Sequence, residues 1–157
     1  MDSVLLDTGP LVALFNVDDK QNLAVRDYLR ITCGLPADYL RTNRVKLLTT
    51  HAVITEACYL LNYDSERPVA MLTWLARGID ADAVDIREPG GFRVRLDDLI
   101  DLMARYDNVP MDYADASLVR LGNDEGISKI LTFDSDFRVY RMSRRKAFEF
   151  VLDIGVQ

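Results

Sequence analysis

Two short apolar runs in this chain, Val4-Leu5-Leu6 and Lys129-Ile130-Leu131-Thr132-Phe133, each lead straight into an aspartate. Asp7 follows the first run and Asp134 the second, with Asp136 two residues later. Three further strand-like segments stand between or after them: Lys46 to Thr49, Ala83 to Ile86, and Ala147 to Leu152. Helical periodicity fills most of the intervals. Gly9-Pro10 opens a short helix through Leu11, Leu14 and Phe15, with proline where a first-turn N–H has no partner anyway. Residues 20 to 31 form the next helix, striped by Ala24, Val25, Tyr28 and Leu29; Gly34 and Pro36 end it, and Pro36 to Arg44 reads as a loop. Thr49-Thr50 offer caps to a helix over His51 to Asn62. Ser65 is expected to cap a helix running to Arg77 through Val69, Leu72, Trp74 and Leu75, with Gly78 as its stop. Val94 to Tyr106 is amphipathic, and Asp112 to Asn123 is a helix closed by Gly126. Strands alternating with helices predict an α/β chain with a mainly parallel sheet covered on both faces, its last strand at or near an edge.

The 157 residues suit one domain spanning 1–157. Lys+Arg 19 against Asp+Glu 25 gives a net charge of −6, which argues against broad, non-specific binding to nucleic acid. It leaves room for acids whose charge a cation cancels. Only Cys33 and Cys58 carry thiols, and both are expected to be reduced and buried. The start lacks the basic region and long apolar run of a signal peptide, and no stretch reaches the length of a membrane span. The expected location is the cytoplasm.

Open α/β sheets bind ligands beyond the carboxyl ends of their strands. Asp7 and Asp134 are therefore expected at one sheet edge. Two more acids stand out by position. Glu56 lies inside an apolar helical run, where burial is costly without a partner; His51 and Lys46 are the nearest basic side chains in sequence. Asp115 lies in the first turn of its helix, where the helix dipole favours an acid, and Asp112, i, i+3 from it, suits the cap. An all-oxygen set selects Mg²⁺ or Mn²⁺ over zinc, and the chain has no Cys-x-x-Cys or His-x-x-x-His spacing. Such a cation suits phosphoryl oxygens and can activate water for in-line attack. There is no Gly-x-x-x-x-Gly-Lys phosphate loop, and with His51 the only histidine there is no Ser-His-Asp set.

These residues carry a family resemblance. Val4-Leu5-Leu6-Asp7-Thr8 resembles the first motif of PIN domains and Thr55-Glu56-Ala57 the second. Pro110 to Val119, containing Asp112 and Asp115, followed by Ile130-Leu131-Thr132-Phe133-Asp134-Ser135-Asp136-Phe137, is similar to the third and fourth as found in VapC-type toxins. The resemblance spans nearly the whole chain. It implies a three-layer α/β/α fold, Mg²⁺- or Mn²⁺-dependent ribonuclease activity, frequent homodimers and a cognate antitoxin. It also implies that Asp7, Glu56, Asp115 and Asp134 are the catalytic, metal-binding acids. Thr132, Asp136, Asp112 and Thr8 are secondary positions.

Arg138, Arg141, Arg144, Arg145 and Lys146 follow as a basic run, expected either as a solvated connector or as a rim that contacts RNA phosphates. Arg41, Arg44 and Lys46 are candidates for the opposite rim. Trp74 and the Tyr59/Tyr63 pair are expected in the core or a dimer interface. Two other functions fit the same constellation: a PIN-fold RNA-binding or assembly module without cleavage, and a metal phosphohydrolase acting on small phosphate esters.

Overall fold

The computed structural model describes residues 2–33, 45–90 and 95–153. Five strands form one sheet: β1 (Asp2–Leu6), β2 (Val45–Thr49), β3 (Val84–Ile86), β4 (Lys129–Leu131) and β5 (Glu149–Phe150). Their order is β3-β2-β1-β4-β5, and all pairings among them are parallel. Among the described residues, six α-helices flank the sheet: α1 (Thr8–Leu14), α2 (Asn22–Cys33), α3 (His51–Leu61), α4 (Glu66–Asp80), α5 (Leu96–Arg105) and α6 (Tyr113–Glu125). The architecture is three-layer α/β/α, as the alternation of elements predicts.

Parallel strands covered on both faces need side chains that are apolar on both. Val4, Leu5 and Leu6 of β1 and Ile130 and Leu131 of β4 are all buried. They join Leu47, Leu48, Val53, Leu61 and Leu118 in one continuous core. The chain steps outward from β1 to β2 to β3, then returns through α5 and α6 to β4 on the other side of β1. Its direction across the sheet therefore reverses beside β1, and a crevice opens there at the carboxyl ends of β1 and β4. The register pairs Leu5 with Ile130 and Leu6 with Leu131, and the Asp7 N–H donates to the Leu131 carbonyl at 3.1 Å. Asp7 thus enters the crevice beside Thr132. Gly122 lets α6 close down at its far end, since a Cβ there would stand 2.8 Å from the Ile127 carbonyl oxygen.

Several local expectations are corrected. Helix α4 runs through Gly78 to Asp80, and the turn is taken by Asp82, whose φ is +57°. Ser65 makes no side-chain cap; Asp64 does the work, its Oδ1 accepting from the Glu66 N–H at 3.0 Å. Strand β4 stops at Leu131, two residues short, because the Thr132 hydroxyl turns the chain by accepting the Asp134 N–H at 3.0 Å. The last strand shrinks to Glu149–Phe150, at a sheet edge as expected. Val69 and Leu72 are exposed, and Met71, Trp74 and Leu75 carry the buried side of α4. Trp74 packs edge-on against Phe15 at 6.0 Å, whereas Tyr59 and Tyr63 stand exposed and outside the core. Cys58 is a free, half-buried thiol. The expected loop from Pro36 to Arg44, with Arg41 and Arg44, and the residues Gly34, Gly91 and Val94 lie outside the described residues, as does the side chain of Cys33. No described helix is long and apolar enough to cross a membrane.

Candidate active site

Each acid reaches the crevice by a different local device. Asp7 is the N-cap of α1: its Oδ1 accepts from the Thr8 N–H at 2.8 Å, so leaving β1 and starting α1 fixes its direction. Its Oδ2 accepts from the Thr132 hydroxyl at 2.6 Å. That same hydroxyl oxygen accepts the Asp134 N–H, so one threonine sets two aspartates. Asp134 in turn caps the short 3₁₀ turn Ser135–Arg138 by accepting the Asp136 N–H at 2.8 Å. Asp112 and Asp115 form a reciprocal capping box at the start of α6, with bonds of 2.8 and 3.3 Å.

Glu56 takes a partner that its sequence neighbours do not suggest. The Thr8 hydroxyl donates to its Oε2 at 2.8 Å, joining α1 to α3. His51 is exposed and sits 3.7 Å from Glu88, and Lys46 pairs with Asp82, so neither basic side chain serves Glu56. The start of α3 is fixed separately: the Thr50 hydroxyl accepts from the Val53 N–H and bonds the Ser117 hydroxyl at 2.7 Å, tying α3 to α6. Ser117 was not singled out in sequence, and a lone buried serine gives no signal of such a tie. Nor does the sequence mark Tyr140. Its hydroxyl donates to the Pro110 carbonyl at 2.8 Å and braces the approach to Asp112.

Asp7, Thr8, Gly9, Glu56, Leu60, Asp112, Asp115, Phe133 and Asp134 together line one open cleft of about 310 Å³. All four principal acids face it. Asp136 is not on that wall; its role here is to give its N–H to Asp134. The electrostatics are those of crowded carboxylates. Burial, opposed by the Thr132 and Thr8 hydrogen bonds and reinforced by Asp134 and Glu56, pushes Asp7 up to about 6. Burial, then the charges of Asp7 and Asp112, push Asp115 up to about 8. Asp134 is raised chiefly by burial, and Tyr140 is raised by burial and by the surrounding aspartates.

Among the described residues, no three His, Cys, Asp or Glu side chains are placed to grip one ion as they stand. Their oxygens are engaged elsewhere, by Thr8, Thr132 and the Asp112 N–H. The donor chemistry nevertheless fits a hard divalent cation: the acids are oxygen donors only, they share a cleft, and they disfavour one another's ionisation.

None of the basic run lines this cleft. Arg138 pairs with Asp153 at 2.8 Å and lies over the Phe150 ring, and Arg141 is spent on the backbone carbonyls of Val139 and Tyr140. Arg144 and Arg145, at φ near +60°, line a separate hollow with Arg105 and Tyr106. Lys146 is exposed. The Ser143 N–H donates to Asn123 near the far end of α6, and no residue lines both this hollow and the cleft.

A scan against family models matches the PIN domain over residues 4–141. With the parallel sheet and the strand-end aspartates already in place, the match shows that this chain belongs to the PIN-domain family. Among solved structures, the chain is similar to one described as VapC20 of Mycobacterium tuberculosis, a sarcin–ricin loop cleaving toxin. Identity is 21%, the TM-score is 0.63, and the match covers 87% of this chain and 93% of that one. At that identity the likeness speaks for the fold alone. No curated protein matches the chain in sequence.

Proposed function

We propose that the chain is a metal-dependent endoribonuclease and the toxin half of a toxin–antitoxin pair. The carrying observation is the cleft itself: Asp7, Glu56, Asp115 and Asp134 line one space of about 310 Å³ at the sheet's reversal point. The PIN family and the fold shared with a protein described as a sarcin–ricin loop cleaving toxin support the reading. Asp7, Glu56, Asp115 and Asp134 would hold Mg²⁺ or Mn²⁺, which when bound supplies charge neutralisation at phosphoryl oxygens and Lewis acidity for a water.

The chain's own groups do the rest. The Thr132 hydroxyl keeps the Asp7 carboxylate turned into the cleft while holding the Asp134 backbone. Thr8 orients Glu56 through its hydroxyl and Asp7 through its N–H. Leu60 and Phe133 supply the apolar side chains on the wall of this open cleft. The excess negative charge would also define the inhibitor, an arginine of an antitoxin tail, since guanidinium pairs bidentately with carboxylates.

Incubating the purified chain with labelled RNA and Mn²⁺, with a chelator control and a chromogenic phosphate ester in parallel, tests the reading. Cleavage of RNA that the chelator stops, with the ester untouched, is the expected result. RNA bound but never cut would favour an assembly module, and hydrolysis of the ester alone a phosphohydrolase.

A further inference from the structure

A second and larger cavity adjoins the carboxylate cleft. Its volume is about 670 Å³, within the usual range for small-ligand pockets. It lies between one side of α3 and the first turns of α6. Ala52, Ala114 and Ser117 are small residues along it, and the Thr50–Ser117 hydrogen bond ties its two sides. His51, Thr55 and Tyr59 fall at i, i+4 and i+8 on α3, so all three face it from one side of that helix. Tyr113 enters from α6, and Glu88 and Pro89 also line it. Glu56 and Asp112 belong to both cavities, so the two spaces share a partition.

Two of the rings have no evident part in holding the fold. Tyr59 is 79% exposed and Tyr113 46% exposed, although buried aromatics elsewhere, such as Phe137 and Tyr140, pack fully. Large π faces beside a phosphate-handling cleft suit a stacked base. The polar lining decides between a base and a second phosphate. Glu88, the acid of this wall that does not also line the carboxylate cleft, would repel a phosphate and accept a hydrogen bond from an exocyclic amine, with His51 3.7 Å from it on the same wall.

We infer that this cavity is a nucleobase subsite, which seats an amino-bearing base of the RNA next to the phosphate held in the carboxylate cleft, between Tyr59 and Tyr113 and with its amine toward Glu88. The inference rests on the ribonuclease reading for its substrate, and it assigns the source of sequence preference to Tyr59, Tyr113 and Glu88, none of which lines the carboxylate cleft. A base placed there fixes which phosphate reaches the cleft.

Short oligoribonucleotides carrying 2-aminopurine at successive positions test this by fluorescence. Binding is read in Mg²⁺ on the Asp7→Asn chain, so that no RNA is cut. Quenching is expected at one position, with about tenfold weaker binding after Tyr113→Ala or Tyr59→Ala and recovery with the phenylalanine substitution at the same position. Glu88→Gln is expected to reduce the preference for an amino-bearing base over uracil. Uniform quenching along the strand, or tyrosine variants that bind as the parent does, overturns the subsite. Cleavage by the otherwise wild-type chain is scored separately. RNA cut normally by Tyr59→Ala and Tyr113→Ala, with unchanged sequence preference, removes the subsite and leaves the nuclease standing. Position-specific quenching in a chain that never cuts RNA keeps the subsite and removes the nuclease.

Discussion

Replacing Asp115 with asparagine removes one negative charge from the cleft and leaves its shape. The asparagine oxygen can still accept the Asp112 N–H that Asp115 accepts at 3.3 Å, so the capping box keeps its geometry. What changes is repulsion. In the fold, burial and the charges of Asp7 and Asp112 hold the Asp115 carboxyl near 8, against an ordinary 3.8. At about 1.4 kcal/mol per tenfold change in proton affinity, ionised Asp115 costs the metal-free protein at most roughly 6 kcal/mol. Burial is the largest cause of that cost and solvent reaches the open cleft, so the expected gain from Asp115→Asn is discounted to about 2–3 kcal/mol. The sign follows from the raised value. Stability tied to protonated Asp115 is fully present below 3.8 and is lost as pH rises through about 8. Asp7, raised to about 6, loses its share earlier on the same side. In chelator at pH 9 the variant is therefore expected to melt roughly 5–10 °C above wild type, and the gap should narrow towards pH 5. With Mn²⁺ at a hundredfold excess over its dissociation constant, wild type should gain about 2.7 kcal/mol and the variant clearly less. Thermal melts of both proteins, with chelator and with Mn²⁺, provide the assay. A metal-free variant less stable than wild type at every pH, with an undiminished Mn²⁺ response, refutes the reasoning and makes Asp115 a structural acid.

The remaining expectations are these. Thr132→Val deletes the donor to Asp7 and the acceptor of the Asp134 N–H; chemical denaturation should show a loss of about 1–3 kcal/mol and cleavage assays a strong fall in rate. A peptide carrying the arginine of an antitoxin tail should compete with Mn²⁺, and titration calorimetry at two metal concentrations reads the competition; metal-independent binding would place it on another face. Substituting Arg144 and Arg145 by serine should weaken RNA binding and flatten its salt dependence without changing Mn²⁺ affinity, because their hollow is separate from the cleft.

Much of the site could be read from local pattern. Asp7 and Asp134 were legible because a parallel strand's carboxyl end is a place in the fold as well as in the sequence. Asp112 and Asp115 were legible because i, i+3 spacing at a helix start is a geometry in itself. Glu56 was legible as an anomaly, but its partner was not: Thr8 lies 48 residues away, and only the packing of α1 on α3 brings them together. The nearer basic side chains, His51 and Lys46, are drawn to Glu88 and Asp82 instead. The basic run was legible as charge but not as place: a solvated connector and a phosphate-contacting rim both fit the sequence, and the fold sets Arg144 and Arg145 in a hollow separate from the cleft. Gly78 looked like a stop because glycine ends many helices, yet the positive φ that a stop requires falls on Asp82.

The central claim is that four acids act as one metal-dependent centre on RNA. Single-turnover cleavage of labelled RNA in Mn²⁺ by Asp7→Asn, Glu56→Gln, Asp115→Asn and Asp134→Asn, each checked for folding by circular dichroism, tests it most directly. The account predicts loss of cleavage in all four folded variants. Near-native cleavage by two of them would contradict it.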